Sequence, residues 1–298
     1  MITTQQRESR RNFIGSSDAA AIMGLDPYRS AADVWLSKTA KIVDFEGNEA
    51  TERGTFLEPS IIAWAESKLG VPLDRDVMLV HPSGVLAANL DARYAPGRFI
   101  VEAKSTVVSE EWGPPGTDEV PNRVLIQGHH QLAVAGDDYD RLYVPVLMAS
   151  FRAFKFQMYE VPRNKDLVDL VAEHCTEFWE KYVKTDTRPD DFKPSLETLK
   201  RMNRVPAKSV PVSDELVDAL IVAKAAAKQA EEEAEQAQAA VLAAMGDAEG
   251  GSYSRGLVTY METRRKAYTV QESSYRTLRI KANKVTNAPR IAAETAGV

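Results

Sequence analysis

The sequence predicts a mixed α/β domain followed by a long helix and a small β-rich extension. Three observations lead there. Helical and β-rich stretches interleave between residues 16 and 183. Two pairs of β runs, ending near Lys104 and Val161, are joined by short turns and read as hairpins. An Ala/Glu-rich run from Ser213 to Met245 keeps helical spacing throughout.

At 298 residues the chain is long enough for one large domain or two smaller ones. Its apolar and charged fractions are ordinary for a soluble globular protein, and no apolar run approaches the roughly 20 residues of a membrane span. The start, Met1 to Arg7, lacks an apolar signal core. A lone cysteine, Cys175, excludes an internal disulfide framework and suits a reducing cytoplasm. Among apolar neighbours in a helical pattern, it reads as a buried structural thiol. Four histidines show no metal-binding spacing. The net charge of −6 argues mildly against a nucleic-acid partner, but the distribution is uneven. Residues 251–298 hold nine Lys/Arg against three acids, which leaves them at +6 and the rest at −12. A basic tail can touch DNA or simply be solvated.

Taken in order, Gly15-Ser16-Ser17 before an alanine run marks a helix start, and Gly24 its stop. Amides there attract anions and a serine can add a hydrogen bond to a phosphate; the same serine equally serves as a plain cap. Ser30 caps a second helix to about Lys38. Glu52 to Leu69 reads as a longer helix ended by Gly70, with Leu57, Ile61, Trp64 (or Ala65) and Leu69 on its buried face and Glu58 beside it. Val77 to Val80 is a strand. Next come two strands joined by Ala95-Pro96-Gly97, the second running from Phe99 to Lys104. Side chains alternate along it, so Glu102 and Lys104 share one face, and the hairpin brings Asp91 beside Glu102. Two carboxylates and an ammonium at one sheet edge suit Mg²⁺ held against a phosphate. A surface hairpin with a Glu/Lys ion pair fits that stretch equally well.

Residues 109–123 carry Pro114-Pro115-Gly116 and Pro121 and read as a loop. Val124 to Gly136 is a helix that sets Gln127 and Gln131 one turn apart on one face. Arg141–Ala149 and Phe151–Val161 form a hairpin, and Asp166–Val183 an amphipathic helix. Pro189 to Pro194 marks a boundary, so the domains are 1–194 and 195–298. In the second, Leu216, Leu220, Ala223 and onward to Ala244 alternate spacings of four and three, a coiled-coil pattern with an alanine seam. It suits a helical hairpin or docking to another subunit. Tyr253 to Ile280 alternates enough for two or three short strands, before a mobile end.

The Gly-Ser-Ser-Asp helix start, Gly54-x-x-x-Glu58, Asp91 followed by Glu102-Ala103-Lys104, the helix with Gln127 and the closing Phe178-Trp179 occur together in this order. From about Arg10 to Tyr182 the chain thus resembles the lambda-type phage exonucleases, also called YqaJ-like viral recombinases. The resemblance implies a restriction-endonuclease-like PD-(D/E)XK core, a mixed central sheet flanked by helices. It implies that Asp91, Glu102 and the carbonyl of Ala103 bind Mg²⁺, with Mn²⁺ as a substitute, and that Glu58 completes the site, for a second metal. Lys104 would orient the attacking water, Gln127 would close the site, and Arg10 with Ser17 would bind the 5′-phosphate. The activity implied is a 5′-to-3′ exonuclease on linear double-stranded DNA ends that leaves 3′ single strands for recombination by strand annealing. An annealing protein as partner, a homo-oligomer such as a trimeric ring, no membrane, and a phage or prophage protein in the bacterial cytoplasm follow from the same resemblance. An endonuclease on this fold is the alternative, and a non-catalytic recombination accessory protein a third. Two departures stand out: Leu90 occupies the place of the motif's proline, and His129 that of a second glutamine often seen two residues after the first.

Overall fold

The computed structural model describes residues 9–43, 47–108, 110–150, 153–264 and 278. The chain divides into two compact units, one ending at Arg204 and the other starting at Val205. The first is built on a seven-stranded mixed sheet: β1 (Ile14–Gly15), β2 (Asp74–Val80), β3 (Leu86–Tyr94), β4 (Phe99–Val101), β5 (Lys104–Thr106), β6 (Arg141–Ser150) and β7 (Ala153–Pro162). β3 pairs parallel with β1 and antiparallel with β2 and β4. β6 takes β4 and β5 in parallel and forms the predicted hairpin with β7. A parallel pair needs a crossover, and here the intervening chain contains the helix Asn122–Ala135.

Among the described residues, six α-helices belong to this unit: α1 (Ser16–Ile22), α2 (Ala31–Lys38), α3 (Glu49–Leu69), α4 (Asn122–Ala135), α5 (Lys165–Phe178) and α6 (Leu196–Lys200). α5 runs on as a π-helical turn over Trp179–Val183. Ser30 and Asp33 cap α2 reciprocally. α3 starts at Glu49 rather than Glu52, because the Asn48 side chain accepts the Thr51 N–H at 3.0 Å. Gly70, at φ 69°, ends it as expected.

Apolar side chains bury against both faces of the sheet. Ile14, Leu36, Leu86, Ile100, Leu132, Leu142 and Phe178 share one core. Ile62 and Ala65 of α3 cover a smaller one with Ala92, Phe99 and Val101. Ile100 and its neighbours thus alternate between cores, the mark of a strand covered on both sides. Trp64 is only partly buried and stacks on Phe156, ring centroids 5.1 Å apart.

The run expected as a single strand, Phe99 to Lys104, is broken at Glu102-Ala103. Phe99 pairs with Arg141 and Lys104 with Val146, the same offset, so both pieces follow one track along β6. The position of β6 facing the break is Pro145, which has no N–H to donate. On the other side, the Ala103 N–H leaves the ladder and donates to Asp91 Oδ2 at 2.8 Å.

Residues 195–203, which the sequence assigned to the extension, pack in the first unit. Ser195 N donates to Asp33 Oδ1 at 2.8 Å and Asn203 N to the Lys41 carbonyl at 2.9 Å. Cys175 is buried, and burial pushes its thiol up to about 12. The second unit holds α7 (Asp214–Met245), which follows Ser213 and stops at Gly246, and a hairpin of β8 (Gly250–Tyr253) and β9 (Gly256–Thr259). No residue of α7 is buried. The rest of the expected β-rich tail, with Arg265, Lys266, Arg276, Arg279, Lys281, Lys284 and Arg290, lies outside the described residues, as does the chain end expected to be mobile. Among those described, no helix is long and apolar enough to cross a membrane.

Candidate active site

Glu102 sits at the break between β4 and β5 and is only 4 % exposed. An ionised carboxylate so placed must be hydrogen-bonded. Its Oε1 accepts from Lys104 Nζ at 2.6 Å and from Gln127 Nε2 at 2.6 Å, and its Oε2 from Gln131 Nε2 at 2.5 Å. Gln127 also turns its Oε1 to Lys104 Nζ, at 3.0 Å. Glu102, Lys104 and Gln127 therefore close a ring, and α4 supplies two of the clamps from positions four residues apart. Ile100 and Glu102 share one face of the strand track, the face that α4 covers.

Asp91, in β3, is fixed by the Ala103 N–H. Its carboxyl is held well above the ordinary carboxylate range, first by burial and then by the charge of Glu102, with Glu58 adding to it; the Lys104 charge and the Ala103 hydrogen bond oppose this. Glu58, partly buried on α3, is raised as well, by burial, then by Asp76 and Glu102, again against Lys104. Six expected residues, Glu58, Asp91, Glu102, Ala103, Lys104 and Gln127, are thereby brought together from α3, β3, the β4–β5 break and α4. Among the described residues no three Asp, Glu, His or Cys side chains stand as a ready-made metal cage. The donor chemistry nonetheless fits a hard divalent cation: the groups on offer are oxygens, and the crowding of Asp91 by two further carboxylates is what a cation relieves.

Two contributors escaped the sequence reading. Gln131 was visible as a face-mate of Gln127, but its bond to Glu102 was not. Asp76 lies one residue before the strand expected from Val77, and the observed strand takes it in. The β2–β3 ladder pairs Arg75 with Ala92 and Val77 with Leu90 and skips Asp76, at φ 53°, opposite Asp91. His129 does not reach the site: its Nδ1 meets the Leu125 carbonyl at 2.8 Å.

Arg10 and Ser17, both exposed, lie in a second group around the start of α1. Buried Asp18 joins Lys38 at 2.7 Å and Arg29 at 2.9 Å there. Burial favours a raised carboxyl, but these two cations hold it well below the usual range. Ser16, one residue before Ser17, is buried and meets His130 Nδ1 at 3.1 Å. His130 and Gln131 are consecutive, so α4 touches both groups.

Residues 6–138 match the YqaJ-like viral recombinase domain. The uncharacterized protein YqaJ of Bacillus subtilis (strain 168) is 31% identical over 179 residues, 58% of this chain and 54% of that protein. The chain thus spans about half the length of the curated relative it matches. Among solved structures, the alkaline exonuclease LHK-Exo from Laribacter hongkongensis superposes with a TM-score of 0.50 at 17% identity, covering 62% of this chain and 94% of that one. The same enzyme in complex with dAMP gives the same values. The shared fold is the restriction-endonuclease-like one, a central mixed sheet flanked by helices. The YqaJ-like match takes in Glu58, Asp91, Glu102, Lys104, Gln127 and Gln131 together with Arg10 and Ser17.

Proposed function

We propose that the protein is a metal-dependent nuclease, specifically a Mg²⁺-dependent 5′-to-3′ exonuclease. It degrades one strand of linear double-stranded DNA and leaves 3′ overhangs for phage-type recombination by annealing. The observation that carries this reading is the joining of Asp91, Glu102 and Lys104 at one broken strand, locked by Gln127 and Gln131. The YqaJ-like match and the fold shared with an enzyme described as an alkaline exonuclease support it.

Asp91, Glu102 and the carbonyl of Ala103 would hold Mg²⁺, or Mn²⁺ in its place, with Glu58 completing the donor set or serving a second ion. The bound cation lowers the pKa of water and offsets charge that develops on the phosphate oxygens. The chain's own residues do the rest. Gln127 and Gln131 keep Glu102 from rotating. Lys104, fixed between Glu102 and Gln127, orients the attacking water and balances the pentavalent phosphate. Arg10 and Ser17 bind the 5′-phosphate of the strand being digested, which makes the enzyme dependent on an end. The product passes to a single-strand annealing protein in the cytoplasm of a bacterial host. The active form is a homo-oligomer, a trimeric ring in the fuller version of this reading, with α7 contributing to a subunit or partner interface.

The test compares linear duplex bearing 5′-phosphate or 5′-hydroxyl ends with closed circular DNA, in Mg²⁺, in Mn²⁺ and in EDTA. We expect metal-dependent loss of linear duplex only. Cutting of the closed circle would replace this reading with an endonuclease, and no cutting of any substrate would favour an accessory protein. Glu102→Ala and Lys104→Ala should each abolish cleavage while a gel-shift assay still detects DNA binding. Full activity in either would mean that the site lies elsewhere.

A further inference from the structure

Lys38 ends α2 with a side chain only 5% exposed, an unusual place for an ammonium. Its Nζ donates to Asp18 Oδ2 at 2.7 Å and to the backbone carbonyl of Arg10 at 2.7 Å, and lies 5.9 Å from the centre of the Phe13 ring. Asp18 in turn accepts the Gly15 N–H at 3.2 Å and Arg29 at 2.9 Å, and Arg29 also donates to the Ser17 carbonyl at 3.4 Å. The nearly buried Lys38–Asp18 pair therefore ties together the backbone at Arg10 and Gly15, and Arg29 on the same carboxylate adds Ser17, while the side chains of Arg10 and Ser17 remain exposed. His130 holds the intervening Ser16 from the helix that clamps Glu102.

A buried ion pair is a poor means of gaining stability, because desolvation offsets most of the attraction and apolar replacements do as well or better. What a hydrogen-bonded pair does supply is a defined geometry. Here the third partner is the main chain of the residue whose guanidinium faces solvent.

We infer that Lys38 and Asp18 are positioning residues for end recognition: they fix Arg10 relative to Ser17 and so set the preference for a 5′-phosphorylated strand. This rests on the reading of Arg10 and Ser17 as the 5′-phosphate site. Neither Lys38 nor Asp18 touches the phosphate. A misplacement of about 1 Å can cost about a hundredfold in rate, so a looser Arg10 is enough to erase discrimination.

The experiment measures initial rates of the full chain, with Mg²⁺, on two linear duplexes that differ only in a 5′-phosphate or 5′-hydroxyl. Wild type, Lys38→Met, Lys38→Arg, Asp18→Asn and Arg10→Ala are compared, each with a thermal melt. Wild type should prefer the phosphate. Lys38→Met and Asp18→Asn should reduce that preference about tenfold, through KM on the phosphorylated end, with the 5′-hydroxyl rate unchanged; Lys38→Arg should restore most of it. The 5′-hydroxyl rate reports the folded fraction within the same samples. Equal loss on both ends would reduce the pair to a structural staple, and an unchanged preference would dismiss it outright. If Arg10→Ala loses the preference while Lys38→Met and Asp18→Asn keep it, this inference fails and the phosphate-site reading survives. If wild type digests both ends alike, the phosphate-site reading fails and takes the inference with it.

Discussion

Glu102 receives hydrogen bonds from three side chains, Lys104, Gln127 and Gln131, and only the last reaches Oε2. Removing Gln131 frees that oxygen in a buried setting and lets the carboxylate turn. Losing a residue that orients a metal-binding carboxylate costs about 10–100-fold in metal affinity or activity. Gln131→Ala should therefore lower cleavage by that order and raise the Mg²⁺ concentration for half-maximal rate, read from a metal titration. Gln127→Ala should do more, because Gln127 also holds Lys104. At this scale the residue types Asp, Glu and Lys were legible from their spacing. The clamp around Glu102 was not, since Gln131 looks like any polar face-mate of Gln127 until β4 and α4 are docked.

At the scale of elements, the position of α4 decides the site. Gly128 lies against β6 so closely that a Cβ there would stand 2.2 Å from Leu142 Cδ2, in a side chain with no exposure. Leu142 packs in the main core, so Gly128→Ala must either turn that side chain out of its place or push α4 from the sheet. Overpacking of this kind costs about 1–3 kcal/mol, visible as a lower urea midpoint. Because Gln127 and Gln131 flank Gly128, cleavage should fall further than the loss of stability explains. Equal activity per folded molecule would show that α4 has slack. The break in the Phe99–Lys104 strand belongs to this scale too. Its cause lies outside the strand, in Pro145 of β6 and the Asp91 carboxylate, so local periodicity read one continuous strand. The early start of α3, by contrast, has a local cause, the Asn48 cap.

For the whole molecule, the two groups joined by α4 carry a pH signature. Burial lowers His130 from the ordinary 6.5 to about 4, outweighing the nearby Asp18 charge; Lys38 and His81 push the same way as burial. His129 is lowered as well, chiefly by burial. A histidine with a depressed folded value stabilises the fold above its unfolded pKa and loses that contribution as pH falls through it toward the folded one. The window here is from about 6.5 down to about 4. Asp18, also depressed, adds its loss only below the ordinary carboxylate range. The His130 contribution to unfolding free energy should be constant above about pH 6.5 and fall by roughly 3 kcal/mol toward pH 4, while the raised Asp91 and Glu58 carboxyls act in the opposite sense above the ordinary carboxylate range. Urea titrations at pH 7.5, 5.5 and 4.5 check this, with His130→Gln expected to flatten much of the decline; a profile unchanged in that variant would contradict the assignment.

Local patterns by themselves determined most of the elements: the capped α2, the Gly70 stop of α3, the β6–β7 hairpin, α5 and the uninterrupted α7. Each depends on caps, turns and periodicity within a few residues, which a single sequence displays. They also determined which polar side chains were candidates. Tertiary structure alone decided that β4 and β5 follow one broken track, that Asp76 lies opposite Asp91, and that residues 195–203 pack beside Asp33 and Lys41. It also decided how deeply Lys38, Asp18 and His130 are buried. These outcomes arise between segments distant in the chain, where a missing N–H on one strand or a carboxylate on another redirects a hydrogen bond. The hairpin from Asp91 to Lys104 could equally have been a surface ion pair; burial against α4 is what makes it a candidate site.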